Sequence, residues 1–188
     1  MSRRFEKDSP VRFLLIFLSL FALFYYFTVL IYGVTTPGNY YNAFLDTHFN
    51  YVRGLRHFLL WATRGILTSM GYTVITSDTE LMAIGHGVID LGFDCLGFAI
   101  MSFFTAFVIA FPKKLKSKII FGVSGIILFQ ALNIIRFVLL AIFIKSSKGI
   151  ILDHHTIFNI VIYIFIGVSL YIWIKHDDQK PAADAKPN

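Results

Sequence analysis

Three residue types that seldom stand among apolar neighbours recur at the ends of apolar runs in this chain. Cys95, the only cysteine among 188 residues, opens a run that ends at Phe111. Arg136 interrupts the run 131–140, with Asn133 one turn before it, and His154 and His155 follow Asp153 at the start of the last run. A thiol, a guanidinium and an imidazole at one depth would supply a nucleophile, an anion stabiliser and a base. A lone thiol forms no internal disulfide and cannot by itself hold a structural metal. The chemistry therefore depends on whether the elements carrying these residues bring them together.

Each residue also has a plainer reading. A free Cys is often a small buried apolar side chain. At the start of a helix the dipole and a nearby Arg would both favour the thiolate, whereas Asp94 opposes it. Gly97 would let another backbone approach closely. A membrane Arg either snorkels to headgroups or pairs with an acid, here Asp90, Asp94 or Asp153; burying it costs at least about 2.5 kcal/mol, so it should face a bundle. Adjacent helical residues point about 100° apart, so only one of His154 and His155 can face the thiol. The other is a polar helix-start residue, with Asp153 as N-cap. A metal set of His86, His154, His155 and Asp153 or Asp90 lacks the usual i, i+4 ligand spacing. No metal and no cofactor is expected.

The elements that must position these residues are read from composition. The chain is 56% hydrophobic and 17% aromatic with 21 Phe, and its mean hydropathy is +0.69. Soluble domains average roughly 45–50% apolar residues, so this is a membrane composition. The net charge of +6 sits mostly in short flanks of apolar runs, the pattern that orients membrane proteins rather than one that binds nucleic acid. Four segments suffice to cross a bilayer at about 20 residues each: Phe13 to Gly33, Cys95 to Phe111, Ile119 to Ile144, and Thr156 to Ile174. The first is too long for a cleaved signal peptide and lacks a small-residue cleavage site. Tyr41 to Met70 carries Arg53, Arg56, His57 and Arg64 among apolar residues at helical spacing, which predicts an amphipathic helix on the bundle or in the interface. Tyr72 to Phe93 reads as a short hairpin or irregular cap.

The expected architecture is thus an all-α polytopic membrane protein of about four transmembrane helices, one amphipathic helix and a small cap. It forms a single domain: residues 1–12 cytoplasmic, 34–94 an extracytoplasmic cap, 95–174 the helices bearing the candidate residues, and 175–188 a disordered cytoplasmic tail. If Tyr41–Met70 stays on one side, Lys113, Lys114, Lys116 and Lys118 and both termini are cytoplasmic, as the positive-inside rule prefers. Arg136 then stands about 25 Å above Ile119, in the outer half of the bilayer. Cys95 and the two histidines lie at the same outer face.

Cys95-Leu96-Gly97, Asn133-Ile134-Ile135-Arg136 and His155, in that order on successive spans, resemble the motifs of the exosortase/archaeosortase family over roughly residues 55 to 173, as in its short bacterial members. The family often carries a Gly four residues after its His, where this chain has Asn159. The resemblance implies a cysteine protease or transpeptidase in the bacterial plasma membrane, with Cys95, Arg136 and His155 catalytic and Asn133, His154 and Gly97 in support. Its partners would be membrane lipids and exported proteins bearing a C-terminal hydrophobic helix and basic tail, with an envelope glycan or lipid as acceptor. The cap would recognise the substrate, with His86 and Arg64 as candidate contacts. The alternatives are a non-enzymatic scaffold or transporter component, in which the thiol is inert, and a metal-dependent membrane hydrolase.

Overall fold

A computed structural model describes residues 10–38, 40–143 and 151–176. The chain is mostly helical (77%). Its described elements are helix α1 (Pro10–Thr35), α2 (Ala43–Phe49), α3 (Tyr51–Ser69), strands β1 (Val74–Thr76), β2 (Glu80–Ala83) and β3 (Val88–Asp90), a 3-10 turn (Phe93–Leu96), α4 (Phe98–Ala110), α5 (Leu115–Phe143) and α6 (Ile151–His176). Residues 1–147 form one compact unit and 148–188, which contains α6, a second. Among the described residues, two helices, α1 and α5, are long and apolar enough to cross a membrane. Much of α1 is exposed apolar surface, including Leu14, Leu15, Leu23 and Leu30, as a helix facing acyl chains would be.

The 41–70 segment is two helices rather than one. Asn42 caps α2 by accepting from the Phe44 and Leu45 amides at 3.0 and 3.2 Å. Asn50 then breaks the chain: its Oδ1 accepts from Arg53 N–H at 2.8 Å, and its Nδ2 donates to Asp46 at 2.7 Å. An Asn that satisfies the first amides of the next helix starts that helix. The α3 face with Val52, Leu59, Leu60, Thr63 and Leu67 is buried, whereas Phe58 and Trp61 on the opposite side are exposed.

The region expected as a hairpin is a three-stranded antiparallel meander in the order β1-β2-β3. Alternation along β2 and β3 turns Leu81, Ala83 and Ile89 inward, as period-two side-chain placement requires. These residues share one core with Leu59 and Leu67 of α3, Leu91 and Leu96, and Phe137 and Ala141 of α5. The C-terminal part of α5 is therefore packed beneath the sheet and beside α3.

Two seams build the helical part. Phe13, Phe17 and Phe21 of α1 meet Phe103, Phe107 and Phe111 edge to face, at 5.2 to 6.0 Å between centroids, a preferred aromatic geometry. Against α5, Phe104 is fully buried and lies over Gly125, where a Cβ would collide with its ring. That helix contact therefore requires the absence of a side chain at 125.

Candidate active site

The expected apolar span beginning at Cys95 begins instead at Phe98, and Cys95 stands in the preceding 3-10 turn. The turn is closed at its start by the Cys95 amide, which donates to Gly92 O at 3.0 Å. It is closed at its end by Gly97 in the left-handed region, φ +78°, a conformation that L residues with a Cβ adopt only at a cost. Gly97 then starts α4, accepting from the Met101 amide at 2.9 Å. The need for glycine here is thus conformational. A Cβ at 97 would meet the Asn133 amide nitrogen at 3.9 Å, an ordinary contact. The helix-dipole argument for a thiolate also weakens, since Cys95 precedes the α4 N-cap by two residues.

A turn that leaves helical geometry frees its carbonyls, and α5 supplies their donors. Asn133 Nδ2 donates to Cys95 O at 3.0 Å. Gln130 Nε2 donates to Leu96 O at 3.4 Å and to Met101 Sδ at 3.0 Å. These residues are three apart, so they share a stripe of the helix that continues to Arg136. Asn133 is 5% exposed and Arg136 6%. The Arg136 guanidinium hydrogen-bonds the Cys95 side chain and stands 5.8 Å from the Phe137 ring centre. The thiol and the guanidinium are therefore neighbours, held by one stripe of α5. Gln130 was not singled out in the sequence; its signal was a polar residue one turn before Asn133 in an otherwise apolar run.

Cys95 is half-buried and packs on the core. Burial pushes its thiol above the ordinary range; Arg136 pulls it down, Asp94 and Asp90 raise it, and the Gly92 contact lowers it. Burial outweighs the cation, so the net shift is upward, opposite to the lowering that a helix dipole and a nearby Arg would give. A nucleophile in this state needs a base.

The predicted base is not among the described side chains. His154 and His155 belong to α6, but their side chains, and that of Asp153, are outside the described residues, as are Lys145 and Lys148 of the preceding loop. His86 is exposed in the β2–β3 turn, its ring edge to face with Tyr72 at 5.1 Å. Arg64 is exposed on α3. Among the described residues no three His, Cys, Asp or Glu side chains are grouped to hold a metal.

A cleft of about 440 Å³ borders the cysteine turn, with Thr35, Arg53, Arg56, Thr79, Asp90 and Gly92 among its lining residues. Arg53 pairs with Asp78 at 3.7 Å across it. Neither Arg64 nor His86 lines it. No protein-family pattern, curated protein or solved structure matches the chain.

Proposed function

We propose that the chain is a membrane-embedded cysteine protease or transpeptidase of the exosortase/archaeosortase kind, acting on C-terminal tails of exported proteins at the outer face of the membrane. The observation that carries this reading is the contact of the buried Arg136 with Cys95, on a turn whose carbonyls are tied to the same helix. An apolar core would be served better by leaving a guanidinium out, because burying one beside a mere packing thiol has no structural return. Four spans, cytoplasmic termini and an extracytoplasmic cap complete the reading, supported by the charge distribution.

The reaction follows from the groups. His155 of α6 takes the Cys95 proton as the sulfur attacks a backbone carbonyl carbon of the tail. The tetrahedral oxyanion receives hydrogen bonds from Arg136, a contribution of roughly 3 kcal/mol where such donors have been removed elsewhere. The C–N bond breaks, His155 returns the proton to the leaving amine, and a thioester remains on Cys95. An envelope amine or water, deprotonated by His155, attacks the thioester and releases the thiol.

A second reading, a non-enzymatic scaffold, has one observation in its favour: burial raises the thiol, as for an inert packing cysteine. Labelling Cys95 in intact cells with a membrane-impermeant thiol reagent separates the two. Labelling from outside that rises with pH and slows in Arg136→Ala is expected of the enzyme. A thiol that stays unreactive even in solubilised protein would leave the scaffold.

A further inference from the structure

We propose that the free edge of β3 docks an extended peptide, which pairs with it as a fourth strand and is led to Cys95. The proposal rests on the cysteine-enzyme reading above and states how that enzyme's substrate is held.

The ladder sets which groups are available. Leu91 N–H donates to Thr79 O at 2.8 Å, and Ala83 N–H donates to Gly87 O at 3.3 Å. With Leu81 opposite Ile89 in the register, positions 87, 89 and 91 are those bonded to β2. In an antiparallel ladder the intervening residues turn their backbone groups the other way. Val88 and Asp90 therefore aim N–H and C=O at the side where the sheet ends, because β3 is an edge strand. Among the described residues these groups bond to no other element. The edge is open: Val88 is 53% exposed and Asp90 is exposed. Exposed edge backbone is a ready template for a strand from another chain.

What distinguishes this edge from an ordinary short one is where it leads. Beyond Asp90 the chain passes Leu91 and Gly92, and Gly92 O holds the Cys95 amide. Asp90, Leu91 and Gly92 also form a wall of the 440 Å³ cleft. A strand added beside Val88 and Asp90 and continued in the same direction enters that cleft at Gly92, whose carbonyl holds the Cys95 amide. The cleft mixes guanidinium, carboxylate and hydroxyl groups from Arg53, Arg56, Asp78, Asp90, Thr35 and Thr79. That set suits the alternating donors and acceptors of a peptide better than a lipid phosphate, which offers acceptors only. Docking through backbone groups makes the first recognition step tolerant of sequence, with the cleft choosing side chains near the scissile bond.

The test uses full-length protein in nanodiscs and three thiol reagents: 2-chloroacetamide, the chloromethyl ketone of acetylated Ala-Thr-Val-Thr-Ala, and the same peptide N-methylated at alternate amides. The rate of Cys95 modification is read by mass spectrometry. The unmethylated peptide is expected to outpace its N-methylated form by about tenfold, the worth of two net hydrogen bonds. Val88→Pro removes an edge donor and no ladder bond, and should erase that advantage while leaving the chloroacetamide rate unchanged. Equal rates for both peptides, with normal chloroacetamide labelling, would overturn the docking edge and leave the cysteine-enzyme reading intact. Equal peptide rates that anionic lipid suppresses would assign the cleft to a headgroup and also overturn it. A Cys95 that resists chloroacetamide in solubilised protein would remove the enzyme reading and, with it, this proposal.

Discussion

The two halves of α5 are almost equally apolar in sequence and are used in opposite ways. From Leu115 to Phe129 the helix packs by shape: Phe104 fills the space that Gly125 leaves and meets Phe129 edge to face at 4.8 Å. From Gln130 to Phe143 it also packs, through Phe137 and Ala141, but three polar side chains are aimed at one turn. Shape packing tolerates volume-conserving exchange, whereas directed polar contacts tolerate almost none. The N-terminal half therefore holds the bundle together, and the C-terminal half holds Cys95 in one place. A helix with a single task would not divide in this way.

The contrast can be broken most severely at the thiol. Cys95→Ala should abolish processing of a substrate tail, read by immunoblot of the cleaved form, while thermal unfolding in detergent stays within about 1 kcal/mol of wild type. Retained processing would end the proposed mechanism. Next in size is Arg136→Gln, expected to lower processing by roughly 10²–10³. It should also move the pH midpoint of Cys95 alkylation upward, because the guanidinium lowers the thiol. Asp94→Asn should move the same midpoint down, since Asp94 raises it. A midpoint unmoved in both variants would mean that neither charge reaches the sulfur.

In the N-terminal half, Gly125→Val should destabilise by about 1–3 kcal/mol through overpacking against Phe104, without changing the alkylation midpoint. A shifted midpoint there would show that the two halves are coupled. The smallest effect is expected from Asn133→Ala, which leaves the part-buried Cys95 carbonyl without its donor and costs about 1 kcal/mol. Its signature is a changed Cys95 alkylation rate measured well below the lowered unfolding temperature, which a purely structural Asn would not produce.

Much of this was legible beforehand. The four apolar runs, the amphipathic stretch and the odd residues Cys95, Asn133 and Arg136 stand out because each violates or obeys a periodicity that any chain must respect. The split at Asn50 was missed because an Asn in a helical pattern does not reveal whether its side chain will turn to cap the next helix. The third strand was missed because strands of three or four residues carry too little alternation to separate a meander from a hairpin. Gln130 was missed because its partners, Leu96 O and Met101 Sδ, are distant in sequence and one of them is backbone.

The amino-acid sequence by itself determined that the chain is helical and apolar enough for a membrane, and which residues are out of place there. Composition and periodicity are local properties, and burial of apolar area follows from them whatever the partner. Only the tertiary structure decided that Arg136 meets Cys95, that Asn133 and Gln130 hold the turn, and that burial pushes the thiol upward. Those outcomes depend on the rotation of α5 about its own axis and on the left-handed Gly97. A rotation of one residue would turn the same side chains elsewhere while leaving every hydropathy value unchanged.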